Sequence, residues 1–241
     1  MLLEDVQSAL VVVAHADDGE WMFGGTVARL VGQGARVDYV VCTDGSSGGI
    51  DLAVSDAELA ATRAAEQRAA AAVLGVRAVT FLGFRNDELS VSIDLKRALV
   101  REIRRSRPQL VLTLTPHRAL DAPIDWSHGD HLATGEATLQ AVYPEALMPR
   151  IYPELLAEDL QPHAVSEVWV PALADANRYV DVTAVVETKM DAVWCHWSQN
   201  GEANGDRAWM FAKHIAPPMQ EAGDRIGTRY AERFRRIRVR G

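Results

Sequence analysis

Short, continuous apolar runs alternate with longer segments of helical period through the first half of the chain. Ala9–Ala14 (Ala-Leu-Val-Val-Val-Ala) is short, unbroken and rich in β-branched residues, the pattern of a strand buried on both faces. A helix is expected through Thr26–Gly34, and Arg36–Cys42 reads as the second strand. Asp56–Leu74 is rich in Ala, Glu and Arg and contains neither Gly nor Pro, which predicts a long helix. Ser55 with Glu58 three residues on has the form of a capping box, and Gly75 is the expected stop. Ala78–Leu82 is a third strand, Ile93–Ser106 an amphipathic helix ending before Pro108, and Gln109–Leu114 a fourth strand. This alternation implies βαβ units: an α/β, Rossmann-like, mostly parallel sheet with helices on both faces. The second half is less regular. Glu167–Pro171 and Arg178–Val182 read as short strands and Thr183–Trp197 as a helix capped by Thr183, together a C-terminal elaboration. No repeat or low-complexity linker interrupts the chain, so one domain over residues 1–241 is expected.

In an open parallel sheet, ligands sit beyond the carboxyl ends of the strands. His15, Asp17 and Asp18 follow the first strand there. Thr43, Asp44 and a Gly/Ser-rich loop to Gly49 follow the second, and Arg85, Asn86 and Asp87 the third. His117 and Arg118, then His128 and His131, follow the fourth. Polar, ligand-competent residues therefore gather along one edge.

Composition narrows the chemistry. Of 241 residues, 48% are hydrophobic and 24% charged, enough apolar content for a buried core. The formal charge of −8 disfavours a broad nucleic-acid surface. Two cysteines, Cys42 and Cys195, lie far apart and form neither a disulfide scaffold nor a CxxC metal site. The first residues lack a basic start followed by a long apolar stretch, and the longest early apolar run is too short to span a bilayer. A cytoplasmic protein without a membrane partner is expected.

His128 and His131 are three apart in Trp-Ser-His-Gly-Asp-His, at the start of what reads as a helix running to Val142, and would share a face. Two imidazoles with one carboxylate match a hydrolytic zinc site, which keeps three protein ligands and one open position. A lone His after a strand is more often a packing residue.

The ordered motifs resolve this. Ala14-His15-Ala16-Asp17-Asp18-Gly19-Glu20, then Gly24-Gly25-Thr26, then His128-Gly129-Asp130-His131 resemble the LmbE-like or PIG-L family of N-acetylglucosaminyl deacetylases. The resemblance extends through Arg63-Ala64-Ala65-Glu66, Leu74-Gly75-Val76, Phe81-Leu82-Gly83-Phe84 with Asp87, His196-Trp197-Ser198-Gln199 and Ala231-Glu232-Arg233-Phe234. It departs at Ala16, where the family has Pro, and at Gly19, where the family has an acid. Whether Glu20 takes over from that acid is left open at this level.

The resemblance implies that His15, Asp18 and His131 bind Zn2+, with Fe2+ a second divalent candidate. It also implies Asp17 as general base and His128 as the residue that aids the oxyanion or the leaving nitrogen. Arg63 and Asp87 match substrate-contacting positions, although Arg63 could instead pair with Glu66 on a solvated helix face. The implied partner is a small amino-sugar substrate, and the family's association into homo-oligomers is expected without a marked interface.

Other residues carry blander readings. Trp194 and Trp197 read as core packing, His196 as either a site-facing or a structural residue, and the terminal run Arg233, Arg235, Arg236, Arg238 and Arg240 as a solvated charge cluster. Two further functions remain: an amidase acting on a thiol-sugar conjugate, and a non-catalytic sugar- or nucleotide-binding module. The last is disfavoured because no G-x-G-x-x-G follows the first strand, and the two aspartates there would repel a pyrophosphate.

Overall fold

Strand β1 (Ser8–Val13) is buried at every position, because both of its faces are covered. Ala9, Val11 and Val13 belong to one core and Leu10 and Val12 to the other, as the two-residue period of a strand requires. A computed structural model describes residues 2–49, 51–120, 124–172, 174–200 and 205–239. Helix α1 (Asp18–Gly32) packs Phe23, Val27 and Leu30 into the first core, which α2 (Asp56–Leu74) joins through Ala70 and Leu74. Helix α3 (Ile93–Ser106) covers the other face with Leu95, Leu99 and Ile103.

The sheet also contains β2 (Arg36–Thr43), β3 (Ala78–Phe84), β4 (Leu110–Thr113), β5 (Glu167–Pro171), β6 (Arg178–Asp181) and β7 (Ala231–Arg238), in the order β3-β2-β1-β4-β5-β7-β6. The first five strands run parallel, and β7 is antiparallel to both its neighbours. Chain order reverses direction between β1 and β4, so a crevice opens beyond their carboxyl ends. The remaining helices are α4 (Gly129–Gln140), α5 (Glu154–Ala157), α6 (Val186–Trp194), α7 (Arg207–Met210) and α8 (Ala216–Asp224).

The expected capping box at Ser55–Glu58 forms, and Gly75 ends α2 in the left-handed region at φ 74°. Three expectations need correction. Helix α1 begins at Asp18, eight residues before Thr26, so the paired aspartates sit at its N-terminus, where a helix favours negative charge. The segment from Thr183 opens with a short 3-10 turn, Thr183–Val185, before α6. The terminal arginine run is a strand inside the sheet. Phe234 is buried, while Arg233 pairs with Glu221 and Arg236 with Glu167. Arg240 lies outside the described residues. Among the described residues, no helix is long and apolar enough to cross a membrane.

Candidate metal centre and its surroundings

His15 leaves β1 directly, and Asp18 opens α1. His131 stands in the first turn of α4, whose N-terminus is capped by the His128 ring. Helix α4 reaches the sheet edge because Gly135 has no side chain: a Cβ there would lie 2.4 Å from the Leu114 carbonyl oxygen. The crevice between β1 and β4 thus brings together residues more than a hundred positions apart.

Three donor side chains converge. His15 Nδ1 lies 3.2 Å from His131 Nε2 and 3.6 Å from an Asp18 carboxylate oxygen, and His131 Nε2 lies 3.0 Å from the other Asp18 oxygen. Ligands ~2.05 Å from a tetrahedral ion stand ~3.3 Å apart, so these spacings fit a bound divalent cation. The donor set of two imidazoles and a carboxylate suits zinc or iron. Two bare imidazole nitrogens, in contrast, can share only one proton.

His128 is also within 4.8 Å of His15 and His131, yet both its nitrogens are engaged. Nδ1 accepts the Asp130 amide at 3.2 Å, and Nε2 lies 3.0 Å from Asp87. Nδ1 therefore has no proton of its own in this network, and Nε2 carries the hydrogen. His128 thus serves as a donor, whereas His15 Nδ1 and His131 Nε2 converge on a common point that a cation could occupy in place of a proton.

Asp130 ties the site together. Its buried carboxylate receives His15 Nε2 at 3.1 Å, the Asp87 amide at 2.7 Å and the Leu89 amide at 3.2 Å. This bond fixes the His15 tautomer that leaves Nδ1 free. Sequence reasoning missed Asp130, although its place inside His-x-Asp-His carried the signal.

Electrostatics follow from this crowding. Burial works against a charged His15, but the Asp130 and Asp18 carboxylates override it and raise its pKa to about 10. His131 is raised against burial by Asp18. Burial likewise opposes ionisation of Asp18, yet His131 and His15 hold its carboxyl well below the usual range. Asp17 moves the other way: burial and then repulsion from Asp18 push it up to about 6, with Arg63, His196 and His15 opposing. Its side chain keeps about a fifth of its surface exposed, and it is near enough to Asp18 and His15 to interact with both charges.

Asp17 itself adopts φ 102°, a backbone region unfavourable for any residue with a side chain. Gln67 accepts its amide at 3.1 Å and donates to Glu20 at 2.9 Å, and Glu20 meets His196 Nε2 at 3.0 Å. Gln67, Glu20 and His196 are fully buried. This places His196 among the structural supports of the site. It also explains Gly19: a Cβ at that position would lie 2.6 Å from the Tyr39 ring. A longer side chain has no room there, and the neighbouring Glu20 is the buried acid, bonded to Gln67 and His196.

Arg63 does not pair with Glu66, which instead accepts from Ser198. Its buried guanidinium donates to the Ala16 carbonyl at 2.8 Å, reaches Gly45 at 3.4 Å and lies 3.6 Å from Asp17. Asp87 is exposed beside Ser47 and Asn86 on the open side of the crevice. Trp197 is 65% exposed, so its core reading fails, while Trp194 meets its edge at 6.3 Å between centroids.

A Rossmann-like sheet with a His/Asp cluster beyond its switch point defines an α/β protein with a candidate metal centre. The chain belongs to the PIG-L family, described as GlcNAc-PI de-N-acetylase, whose profile matches residues 10–142. It is similar to the diacetylchitobiose deacetylase of Thermococcus kodakarensis, at 32% identity over 96% of this chain and 83% of the relative. It is also similar to the 1D-myo-inositol 2-acetamido-2-deoxy-alpha-D-glucopyranoside deacetylase of Mycolicibacterium smegmatis, at 31% identity over 87% of this chain and 86% of the relative. Among solved structures, the N,N'-diacetylchitobiose deacetylase of Pyrococcus horikoshii superposes with a TM-score of 0.87 at 29% identity, covering 98% of this chain and 85% of that one. Relatives named as deacetylases thus resemble this chain in both sequence and α/β fold.

Proposed function

We propose that the protein is a metal-dependent N-deacylase that hydrolyses the amide of an N-acylated amino sugar or its conjugate. The observation that carries this reading is the convergence of His15, Asp18 and His131 at metal-ligand spacing, with the Asp17 carboxylate interacting electrostatically with Asp18 and His15. Membership in a deacetylase family supports it.

In this reading His15 Nδ1, Asp18 and His131 Nε2 hold zinc, with Fe2+ the alternative. Such a cation polarises the amide carbonyl and brings the pKa of a water molecule toward ~7. Asp17 takes the proton from the attacking water and returns it to the departing amine. The hydrogen on His128 Nε2 turns from Asp87 to the amide oxygen as charge develops there. Asp87 then faces the sugar hydroxyls. Arg63 acts from beneath, balancing the charge on Asp17, and any contact it makes with substrate passes through that carboxylate. The preferred setting is cytoplasmic, with a small-molecule partner and self-association.

Metal analysis combined with acetate release from N-acetylglucosamine derivatives, before and after chelation, tests the proposal. About one metal ion per chain with chelator-sensitive release is expected. A chain that binds no metal after reconstitution would overturn it.

A further inference from the structure

His131 faces two spaces. One is the crevice it shares with His15 and Asp18; the other is a cavity of about 410 Å³ that Asp17, Asp87 and Arg63 do not line. Trp21 and Met22 of α1, Leu114 after β4 and Met219 of α8 form much of its wall. Its wall also carries Thr115, His117 and His214, while its lysine, glutamate and arginine already have partners. Lys189 Nζ donates to Glu232 at 2.6 Å and to the Trp21 carbonyl at 2.7 Å. Glu232 also receives the amides of Gly25 and Thr26, and Arg233 binds Glu221. With these charges engaged in the fold, the cavity offers mainly apolar surface, which favours an apolar occupant.

An amide held for hydrolysis has three directions to fill. Its oxygen must meet the electrophilic groups, and its nitrogen must lie within reach of Asp17, which returns the proton. The polar residues suited to sugar hydroxyls, Asp87, Ser47 and Asn86, cluster with His128 on the open side of the crevice. The acyl chain is left with the remaining direction, on the side where His131 lines the cavity. An acetyl methyl needs on the order of 30 Å³, about one water's share of liquid volume, so it would fill less than a tenth of that cavity.

We infer that this cavity is an acyl subsite, and that the protein cleaves medium-chain N-acyl amino sugars, with acyl groups of about six to eight carbons, whose tails at about 30 Å³ per carbon fill roughly a third to a half of it. The inference rests on the N-deacylase reading above and specifies its substrate. The reaction balances as a hydrolysis. The C–N bond breaks, the water oxygen joins the acyl carbon, and the products are a fatty carboxylate and the protonated amino sugar.

The test compares N-acetyl-, N-butanoyl-, N-hexanoyl- and N-octanoylglucosamine with the metal-loaded protein. Burial of each methylene is worth roughly a three- to fourfold gain, so kcat/KM for the hexanoyl amide should exceed that for the acetyl amide by at least about tenfold. A flat or falling series overturns the inference while leaving N-deacetylation intact. Isothermal titration gives a second reading that needs no turnover: octanoate should bind at least about tenfold more tightly than acetate, and equal affinity overturns the subsite. Ala172→Phe, which places a ring in the cavity wall, should lower the hexanoyl-to-acetyl ratio by about tenfold, and an unchanged ratio counts against the assignment. Inertness toward all four amides overturns the N-deacylase reading instead, and the carboxylate titration then decides the cavity alone.

Discussion

The amide of Asp17 donates to the side-chain oxygen of Gln67 at 3.1 Å, and this bond secures a backbone at φ 102° that Asp17 would not adopt unaided. Gln67 is held in turn by Glu20, and Glu20 by His196, all out of contact with solvent. The C-terminal segment therefore reaches the proposed base through three side chains. Replacement by an isosteric apolar residue, Gln67→Met, leaves the Asp17 amide unsatisfied, at a cost of about 1–3 kcal/mol. The expected outcome is a 10- to 100-fold lower kcat with metal content and KM nearly unchanged. In an Asp17→Asn background the same substitution should cost almost nothing further, because its effect passes through Asp17. Full additivity would assign Gln67 to folding alone.

Asp17 also sets a pH dependence. Burial and the Asp18 charge raise its pKa to about 6, and the proposed role as base requires the ionised form. A bound cation pulls that value down, so the acidic limb of kcat/KM should fall at or below about pH 6. The stability effect has the opposite sense. Because the folded-state pKa is raised, the metal-free fold loses stability as pH rises from about 4 through 6. Asp17→Asn should therefore abolish most turnover yet stabilise the metal-free protein at pH 8, by on the order of 1–3 kcal/mol, and have little effect at pH 3.5. Denaturant titrations at the two pH values check this, and equal stability at pH 8 would remove the charge argument.

Much of this was legible in the chain. The buried strand β1, the capping box of α2 and the gathering of His15, Asp18, Asp87, His128 and His131 at one sheet edge follow from local pattern. What escaped depends on distant pairing. Strand β7 reads as a basic tail because four of its eight residues are arginine, and only β5 and β6 on either side make it a strand. The buried chain from His196 to Asp17 joins residues up to 176 positions apart, which periodicity does not register. Trp197 sits at helical spacing from Trp194, but α6 ends at Trp194 and leaves the second ring exposed.

Metal uptake should displace a proton. Without a cation, Asp130 and Asp18 raise His15 to about 10 against the effect of burial, so His15 is protonated at pH 8. A cation at Nδ1 takes the place of that proton. Calorimetric titration of the metal-free protein in two buffers of different ionisation enthalpy should give about one proton released per metal bound at pH 8. Apparent affinity should rise with pH toward 10. Release of no proton would mean that His15 is already neutral. Asp130→Asn weakens the brace on His15 Nε2 and should reduce metal affinity by roughly 10- to 100-fold.

The close approach of α4 to the sheet depends on Gly135. A Cβ on Gly135 would meet the Leu114 carbonyl oxygen at 2.4 Å and the Pro116 nitrogen at 2.9 Å, both backbone atoms that no rotamer change can move. Gly135→Ala must therefore push the helix outward. His131 lies one turn toward the N-terminus on that helix, and its Nε2 meets Asp18 at 3.0 Å, so even a shift of about 1 Å breaks ligand spacing that tolerates only ~0.2 Å. His128, which caps the same helix, moves with it. The expected result is a loss of about 1–3 kcal/mol in stability together with most metal binding. A comparison with Gly129→Ala separates packing from helix propensity, since a Cβ at Gly129 meets nothing within 4 Å. Gly129→Ala should fold and bind metal normally. If Gly135→Ala did so as well, the close contact between α4 and the loop after β4 would have no part in forming the site.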